Sequence, residues 1–99
     1  MALMEISVVP MGLGSPSVGD YIAALVKFLR ENKIPHRLTD MSTIVEGPPA
    51  KLLEWARVLH ELPFEKGVQR VITHITIDDR RDKKVSLGDK ISAVEARLT

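Results

Sequence analysis

Hydrophobic and polar residues alternate along some segments of the chain and recur at helical spacing along others. Residues 3–9 are rich in β-branched and aliphatic side chains, and residues 68–78 alternate polar with apolar side chains, so each segment is predicted to form a strand. Between them, Asp40, Met41 and Ser42 supply turn chemistry to two short extended segments, residues 36–39 and 43–46. These two segments are predicted to pair as a hairpin.

Three other segments carry apolar residues at the spacing of an amphipathic helix. The second of them is predicted to begin at the Pro48-Pro49 pair and to stop at Pro63, because proline is tolerated in a first helical turn but lacks the N–H needed later. Ser17 with Asp20, and Ser86 with Asp89, have the spacing of a helix start. In chain order, the apolar positions are Val18, Ile22, Leu25 and Leu29; Leu52, Trp55, Ala56, Leu59 and Leu62; and Leu87, Ile91, Val94 and Leu98.

The predicted order of elements is strand, helix, strand, strand, helix, strand, followed by a C-terminal helix. This order is typical of α+β proteins with a ferredoxin-like βαββαβ sandwich, in which a four-stranded antiparallel sheet carries two helices on one face. A length of 99 residues with 44% hydrophobic residues suits one core, so residues 1–99 are interpreted as one domain. A chain this short buries only about two-thirds of its unfolded surface, so it would gain stability from oligomerisation.

Side-chain parity along the first and last strands distinguishes two faces of the predicted sheet. Met4, Ile6 and Val8 point to one side, which is expected to lie under the helices. The opposite side, called the mixed face below, combines hydroxyl, imidazole, carboxylate and aliphatic groups. It is expected to bind a small polar ligand and to pack against the sheet of a second copy. Its residues on these two strands are Glu5, Ser7, Val9, Ile72, His74 and Thr76.

Charge and composition exclude several classes of protein. The chain has 14 basic and 13 acidic residues and a net charge of +1, which gives no field strong enough to gather nucleic acid or an anionic membrane. The predicted first and last strands also lack the exposed aromatic residues of RNA-binding sheets. No stretch approaches eighteen apolar residues. A soluble, cytoplasmic protein without nucleic-acid or membrane partners is therefore expected.

The chain shows no recognisable catalytic or metal-binding motif. It contains no cysteine, so thiolate chemistry and disulfides are not available. His36, His60 and His74 are far apart in sequence, and no two stand three or four residues apart on a predicted helix as metal ligands would. The serine and histidine residues lack a local nucleophile signature. No enzyme activity, metal or cofactor is therefore predicted.

Six consecutive charged residues, 78–83, follow the alternating part of the last strand. Three interpretations stay open: a solvated connection with local ion pairs, a contact in which Arg80 or Arg81 binds a carboxylate of a second subunit, and direct ligand contact. The glycine loop of residues 11–17 is a weak candidate for holding an anion, and a plain connecting loop is favoured there. The candidates for an oligomer or anion contact are Asp78, Asp79, Arg80 and Arg81.

Three segments together resemble one known family. Residues 6–10 (ISVVP), 41–47 (MSTIVEG) and 75–83 (ITIDDRRDK) are similar to segments of the thiamine-binding-protein-like family of small proteins, and the element order agrees along nearly the whole chain. The resemblance implies a ferredoxin-like fold, assembly into dimers or tetramers and, for some members, binding of thiamine or its hydroxymethylpyrimidine moiety without catalysis. The alternative is an anion-responsive regulatory or structural oligomer with no affinity for thiamine.

The resemblance also implies a set of candidate ligand-binding residues in the matching strands. An aminopyrimidine needs an acceptor for its exocyclic amine, a hydrogen-bonding partner for a ring nitrogen and a flat apolar slot. The thiazolium of thiamine adds a preference for nearby negative charge. The polar candidates are Ser7, Thr43, Glu46 and His74, and the candidate walls are Val9 and Val45.

Overall fold

A computed structural model describes residues 1–14 and 18–98, and its elements occur in the predicted order. The expected α+β arrangement, with one four-stranded antiparallel sheet and three helices, is confirmed. The predicted helix start at Ser17 lies outside the described residues. The elements are β1 (Ala2–Pro10), α1 (Gly19–Glu31), β2 (His36–Leu38), β3 (Thr43–Gly47), α2 (Pro49–Glu65), β4 (Val71–Asp78) and α3 (Asp89–Arg97).

The strands lie in the order β2-β3-β1-β4, and each pair of neighbours is antiparallel. β1 pairs with β4 over residues 3–10, but with β3 only over residues 2–6, because β3 begins at Thr43. The predicted hairpin of β2 and β3 is present. Its turn is closed by the Thr39 N–H, which donates a hydrogen bond of 2.9 Å to the Ser42 carbonyl. Beyond residue 6, β1 therefore pairs on one side only with strands formed by residues 1–14 and 18–98.

The core lies between one face of the sheet and helices α1 and α2, as the parity of β1 predicts. Met4 and Ile6 point into it and are almost fully buried. Removing a side chain of this size from water contributes about 1.5–3 kcal/mol to stability. The buried core residues are Ala2, Met4, Ile6, Leu25, Leu29, Ile34, Val45, Leu52, Ala56 and Leu59.

α2 continues past the residue at which it was predicted to stop. Pro63 lies inside the last turn, and the helix ends at Glu65, so the predicted stop is wrong. A proline removes one N–H bond to the preceding turn, and its apolar ring is buried here, which offsets part of that loss. The chain then turns at Gly67 (φ +90°), and the Val68 N–H donates to the Pro63 carbonyl at 3.2 Å. Consequently β4 begins at Val71 rather than at the predicted residue 68.

The start of α3 is fixed by two hydrogen bonds. The Asp89 carboxylate accepts one of 2.8 Å from the Ser86 N–H, as the spacing of these residues predicts. The Leu87 N–H donates another of 2.8 Å to the Glu46 carboxylate on β3. Gly88 between them has a φ of +94°, which favours glycine. α3 itself buries none of its residues, so its apolar side faces outward.

Candidate functional site

A cavity opens beside β1 at the point where β3 begins. β1 continues from Ile6 to Pro10, whereas the β2–β3 hairpin reverses direction at Asp40 and Met41. The space between this part of β1, the hairpin turn, the first half of α1 and the end of α2 is a cavity of about 220 Å³. The cavity therefore results from the unequal lengths of two neighbouring strands.

Apolar side chains from both helices form the walls of the cavity, and the hairpin turn forms a polar side. A largely apolar space with a few polar groups is typical of sites that bind small organic molecules. The α1 region contributes Val18, Tyr21, Ile22 and Leu25, and α2 contributes Leu59, Leu62 and Pro63. β1 contributes residues 6–9, and the β2–β3 hairpin contributes residues 38–43.

Two side chains on the polar side have hydrogen-bonding capacity left for a ligand. The hydroxyl of Thr43, a residue that is only 3% exposed, makes no hydrogen bond to the part of the chain that the structure describes. Asp40 is exposed at the turn and likewise has no cationic partner there. By contrast, the Thr39 hydroxyl donates to the Ser42 carbonyl at 2.8 Å, and the Ser42 hydroxyl donates to Glu5 at 3.0 Å. Thr43 and Asp40 are therefore the side chains best placed to bind a polar ligand.

The structure brings three of the six predicted ligand-binding residues to this cavity. Ser7, Val9 and Thr43 line it. The cavity lies on the helix side at one end of the sheet, and not on the mixed face where the ligand was expected. Strand parity alone could not locate it, because parity identifies faces and not the ends of strands.

The other three predicted ligand-binding residues lie elsewhere. Val45 points to the helix face and is fully buried, so it belongs to the core and does not line the cavity. Glu46 points to the mixed face and accepts the hydrogen bond from Leu87. His74 is exposed on the mixed face, directly opposite Ser7 of β1. Since successive residues of a strand point to opposite faces, Val45 and Glu46 cannot line the same face of one site.

Asp40 and Tyr21 line the cavity but were not among the predicted site residues. Asp40 was interpreted only as a turn former, and Tyr21 was assigned no role. One signal could have found both. The predicted first strand is longer than the predicted third, so one end of the first strand had to lack a neighbour on that side.

The charged residues that follow β4 pair with one another. Arg80 donates two hydrogen bonds to the Asp82 carboxylate, of 2.6 and 2.8 Å, and Arg81 donates to Asp79 with a shortest distance of 2.8 Å. These guanidinium groups lower the pKa of Asp82 and of Asp79 respectively. Asp78 is exposed at the end of β4. Within one chain, the geometry supports the solvated connection with local ion pairs.

Acid titration of the two carboxylates should show this pairing directly. Arg81→Ala is expected to raise the pKa of Asp79 toward its ordinary value of 3.8 and to leave Asp82 unchanged, whereas Arg80→Ala should do the reverse. Carboxyl carbon NMR measures both groups, and each variant serves as the control for the other.

The same pairs give a signed dependence of stability on pH. Because the folded-state pKa of Asp79 and Asp82 is lowered, their contribution is present above the unfolded pKa and is lost as pH falls through the folded pKa. Both pairs are exposed, so water and salt keep the contribution small. In the NMR titration, equal changes in the pKa of Asp79 and Asp82 in either arginine variant would contradict the local pairing.

The described part of the glycine loop borders a second, wider hollow of about 450 Å³. Residues 11–13 line it together with Lys66 and Arg70, which give it positive charge. Lys66 also lies over the ring of Tyr21, with the ammonium nitrogen 5.8 Å from the ring centre. Residues 15–17, which complete the predicted anion loop, lie outside the described residues.

Residues 1–14 and 18–98 contain neither a membrane-spanning helix nor a metal-binding cluster. No helix within these ranges is long and apolar enough to cross a membrane. The same ranges bring no three histidine, aspartate or glutamate side chains together in a position to hold a metal ion.

Comparison with known proteins gives consistent matches along almost the whole chain. A family model described as thiamine-binding protein matches residues 4–95. The UPF0045 protein in the glkA 3′ region of Staphylococcus xylosus is 45% identical over 99% of this chain and 95% of its own length. The UPF0045 protein YqgV of Bacillus subtilis is 43% identical over 99% of this chain and 98% of its own.

Solved structures share the same fold. The crystal structure of the hypothetical protein MJ1052 from Methanocaldococcus jannaschii superimposes with a TM-score of 0.83 at 26% identity, covering 95% of each chain. A proposed thiamine biosynthesis/salvage protein from Thermotoga maritima superimposes with a TM-score of 0.77 at 17% identity, covering 94% of this chain and 97% of that one.

Proposed function

Because this chain belongs to the thiamine-binding protein family, as its three characteristic segments predicted, we propose that it is a cytoplasmic, non-enzymatic homo-oligomer that binds thiamine or its hydroxymethylpyrimidine moiety. The observation that carries this proposal is the cavity beside β1. Its apolar walls suit a flat ring, and Thr43 and Asp40 offer polar groups to the ring substituents.

The size of the cavity indicates which part of thiamine would enter it. Its volume of 220 Å³ lies below the range of about 300–1,000 Å³ that is common for drug-sized ligands. One aminopyrimidine ring therefore suits it better than both rings of thiamine. In the proposed pose the pyrimidine lies between α1 and β1, and the positively charged thiazolium stays outside near Asp40, to which it is attracted.

The proposed ligand contacts follow from this pose. Thr43 points to the helix side and offers its hydroxyl group at the edge of the ring. Ser7 and Val9, whose side chains point to the mixed face, border the ring from the β1 side. Glu46 and His74 do not line the cavity, and we propose that they act on the mixed face, toward a neighbouring subunit or a ligand held between subunits.

Calorimetric titration with hydroxymethylpyrimidine, and separately with thiamine, tests the proposal. We expect measurable heat and a higher melting temperature with hydroxymethylpyrimidine, because a ligand that binds only the folded state stabilises it. The thiazole half of thiamine alone is the matched control and should give neither. Mass spectrometry should recover the pyrimidine unchanged after prolonged incubation. Absence of heat and of stabilisation with both ligands at millimolar concentration would overturn the proposal.

Replacing Thr43 by valine should weaken binding of hydroxymethylpyrimidine about tenfold, the effect of losing one hydrogen bond in a water-poor site. Valine keeps nearly the same shape, so the change isolates the hydroxyl. Thr76→Val on the mixed face removes the same group from a residue outside the cavity and serves as the control. Calorimetry measures both variants, and equal affinities would show that the Thr43 hydroxyl does not contact the ligand.

Exposed apolar side chains support the proposed homo-oligomer. The apolar side of α3 carries Ile91, Val94 and Leu98, which are 54%, 49% and 73% exposed. On the mixed face, Val9 and Ile72 are also exposed. The radius of gyration is 14.9 Å, compared with about 13 Å for a compact chain of this length, so the molecule has extended surfaces to offer a second copy.

Sedimentation analysis tests whether α3 takes part in the oligomer. Val94→Glu places a charge within its apolar side and is expected to shift the protein toward monomers. Ser92→Glu, two residues away on the same helix, is the control and should leave the assembly unchanged. Identical sedimentation of both variants and the original protein would show that α3 is not part of the interface.

An anion-responsive oligomer without thiamine affinity is the second candidate. Arg80, Arg81, Lys83 and Lys84 line a shallow hollow beside Pro49 at the start of α2. Both arginines are already paired with carboxylates, which disfavours this candidate. Stabilisation by phosphate that is lost in Arg80→Ala, together with no response to thiamine, would favour it.

A further inference from the structure

One hydrogen bond beside β1 shows which way its backbone groups point. The Met11 N–H donates to the Arg70 carbonyl at 2.8 Å, and these two residues continue the β1–β4 register directly after Pro10 and Val71. In an antiparallel ladder, hydrogen-bonded pairs alternate with pairs that are not hydrogen-bonded. Odd-numbered residues of β1 therefore turn both backbone groups toward β4, and even-numbered residues turn theirs away from it.

The other side of β1 gives the same assignment independently. The Glu46 N–H of β3 donates to the Pro35 carbonyl at 3.0 Å, so even-numbered residues of β3 turn toward β2 and odd-numbered residues toward β1. Thr43 is odd-numbered and lies opposite Ile6. Even-numbered residues of β1 consequently turn their backbone groups toward β3.

Val8 is the next residue of this set after Ile6, and no strand among the described residues lies opposite it on that side. The register would place Met41 there, but Met41 lies in the hairpin turn and is 87% exposed. Val8 lines the cavity instead, and its N–H and carbonyl groups make no hydrogen bond toward that side with any residue in the ranges 1–14 and 18–98. A donor and an acceptor thus lie side by side in a half-enclosed apolar space, where backbone groups require a partner.

We propose that the backbone N–H and carbonyl of Val8 form the hydrogen-bonding edge that recognises the ligand. This inference rests on the proposed function and names the ligand class more closely. The ligand is a flat nitrogen heterocycle that presents a ring-nitrogen acceptor next to an amine donor. The acceptor receives the Val8 N–H and the amine donates to the Val8 carbonyl, as a neighbouring strand would.

This arrangement discriminates by the pattern of donor and acceptor atoms. A 4-aminopyrimidine has an amine beside a ring nitrogen and matches both groups of Val8. A ring that lacks the amine leaves the carbonyl without a partner, and an unpaired buried polar group is costly. Pro10, the next even-numbered residue, has no N–H and offers only its carbonyl. The edge therefore presents one donor, which suits a single heterocycle.

The test replaces Val8 by the hydroxy acid of the same side chain, which exchanges the N–H for an ester oxygen. The matched control is the same replacement at Ile75, whose N–H faces the outer edge of β4. Each ester also weakens the carbonyl of the preceding residue, which is Ser7 for the Val8 ester and His74 for the Ile75 ester. Ser7 and His74 are partners in the β1–β4 ladder, so this side effect is the same in both variants. We expect affinity for hydroxymethylpyrimidine to fall by about tenfold or more in the Val8 ester and to stay unchanged in the Ile75 ester.

Amide hydrogen exchange in the unmodified protein provides a second measurement that does not depend on folding of the esters. Saturating hydroxymethylpyrimidine should slow exchange of the Val8 N–H about tenfold beyond any change at Ile75. If hydroxymethylpyrimidine binds but neither the Val8 ester nor the Val8 exchange rate shows an effect, the inference is wrong and the proposed function stands. If neither hydroxymethylpyrimidine nor thiamine binds the unmodified protein, both are wrong.

Discussion

Replacing Leu59 by alanine is expected to lower the free energy of unfolding by about 2–5 kcal/mol. Leu59 is fully buried on α2, where it belongs to the core and also lines the cavity beside β1. Removal of its branched end leaves a void that the rigid sheet below cannot fill, so lost contacts add to the lost hydrophobic burial. Denaturant unfolding measures the change as a lower midpoint at an unchanged slope.

Leu53 on the same helix provides the matched control. It is 59% exposed, so Leu53→Ala makes the same chemical change at a position that removes little buried surface. A similar loss of stability in both variants would contradict the assignment of the core. Leu59→Ala also enlarges the cavity. If the pyrimidine lies against this wall, the affinity of the variant for whole thiamine should rise relative to its affinity for hydroxymethylpyrimidine.

Replacing Gly47 by alanine is expected to destabilise the protein by about 1–3 kcal/mol, the usual effect of overpacking a core. Gly47 ends β3 on the helix face, directly opposite Ala2. A Cβ atom there would lie 2.5 Å from Cζ3 and 2.9 Å from Cη2 of Trp55. These ring atoms cannot withdraw without shifting the indole on α2, so either the strand or the helix must move.

A double-mutant cycle identifies the cause of this loss. Trp55→Leu removes the ring, so Gly47→Ala should cost markedly less stability in that background. Gly14→Ala is the control, because a Cβ at Gly14 meets no atom of residues 1–14 and 18–98 within 4 Å, and its backbone needs no left-handed conformation. Thermal or denaturant unfolding measures the cycle. An equal cost of Gly47→Ala with and without the indole would show that the contact is not responsible.

The fold could be predicted from local patterns in the sequence, namely the alternation of residues along strands and the spacing of apolar residues along helices. Alternation along β1 predicts that Met4 and Ile6 face the helices, and both are buried. The spacing of Leu52, Ala56 and Leu59 predicts the buried side of α2. The end of that helix was harder to predict, because the penalty for Pro63 depends on what its ring packs against, and this is decided by tertiary structure.

The site was only partly predictable, because its position depends on register rather than on residue type. Thr43 and Val45 lie two residues apart on the same side of β3, and they look alike in sequence. Thr43 lines the cavity because it stands at the first pair of the β1–β3 ladder, whereas Val45 stands in the middle and is enclosed by the core. Only the pairing of distant segments distinguishes them, and no local pattern encodes that pairing directly.

Pro10 also bears on how the protein avoids aggregation. The uncovered side of β1 resembles the kind of border at which a foreign polypeptide can add itself and begin fibre growth. A polypeptide that paired with this edge could bond to the N–H and carbonyl of Val8, but two residues later Pro10 has no N–H to donate. Beyond the two Val8 groups this border offers only the Pro10 carbonyl, so strand pairing would not continue, and the gap in which we propose that a small molecule binds disfavours a polypeptide.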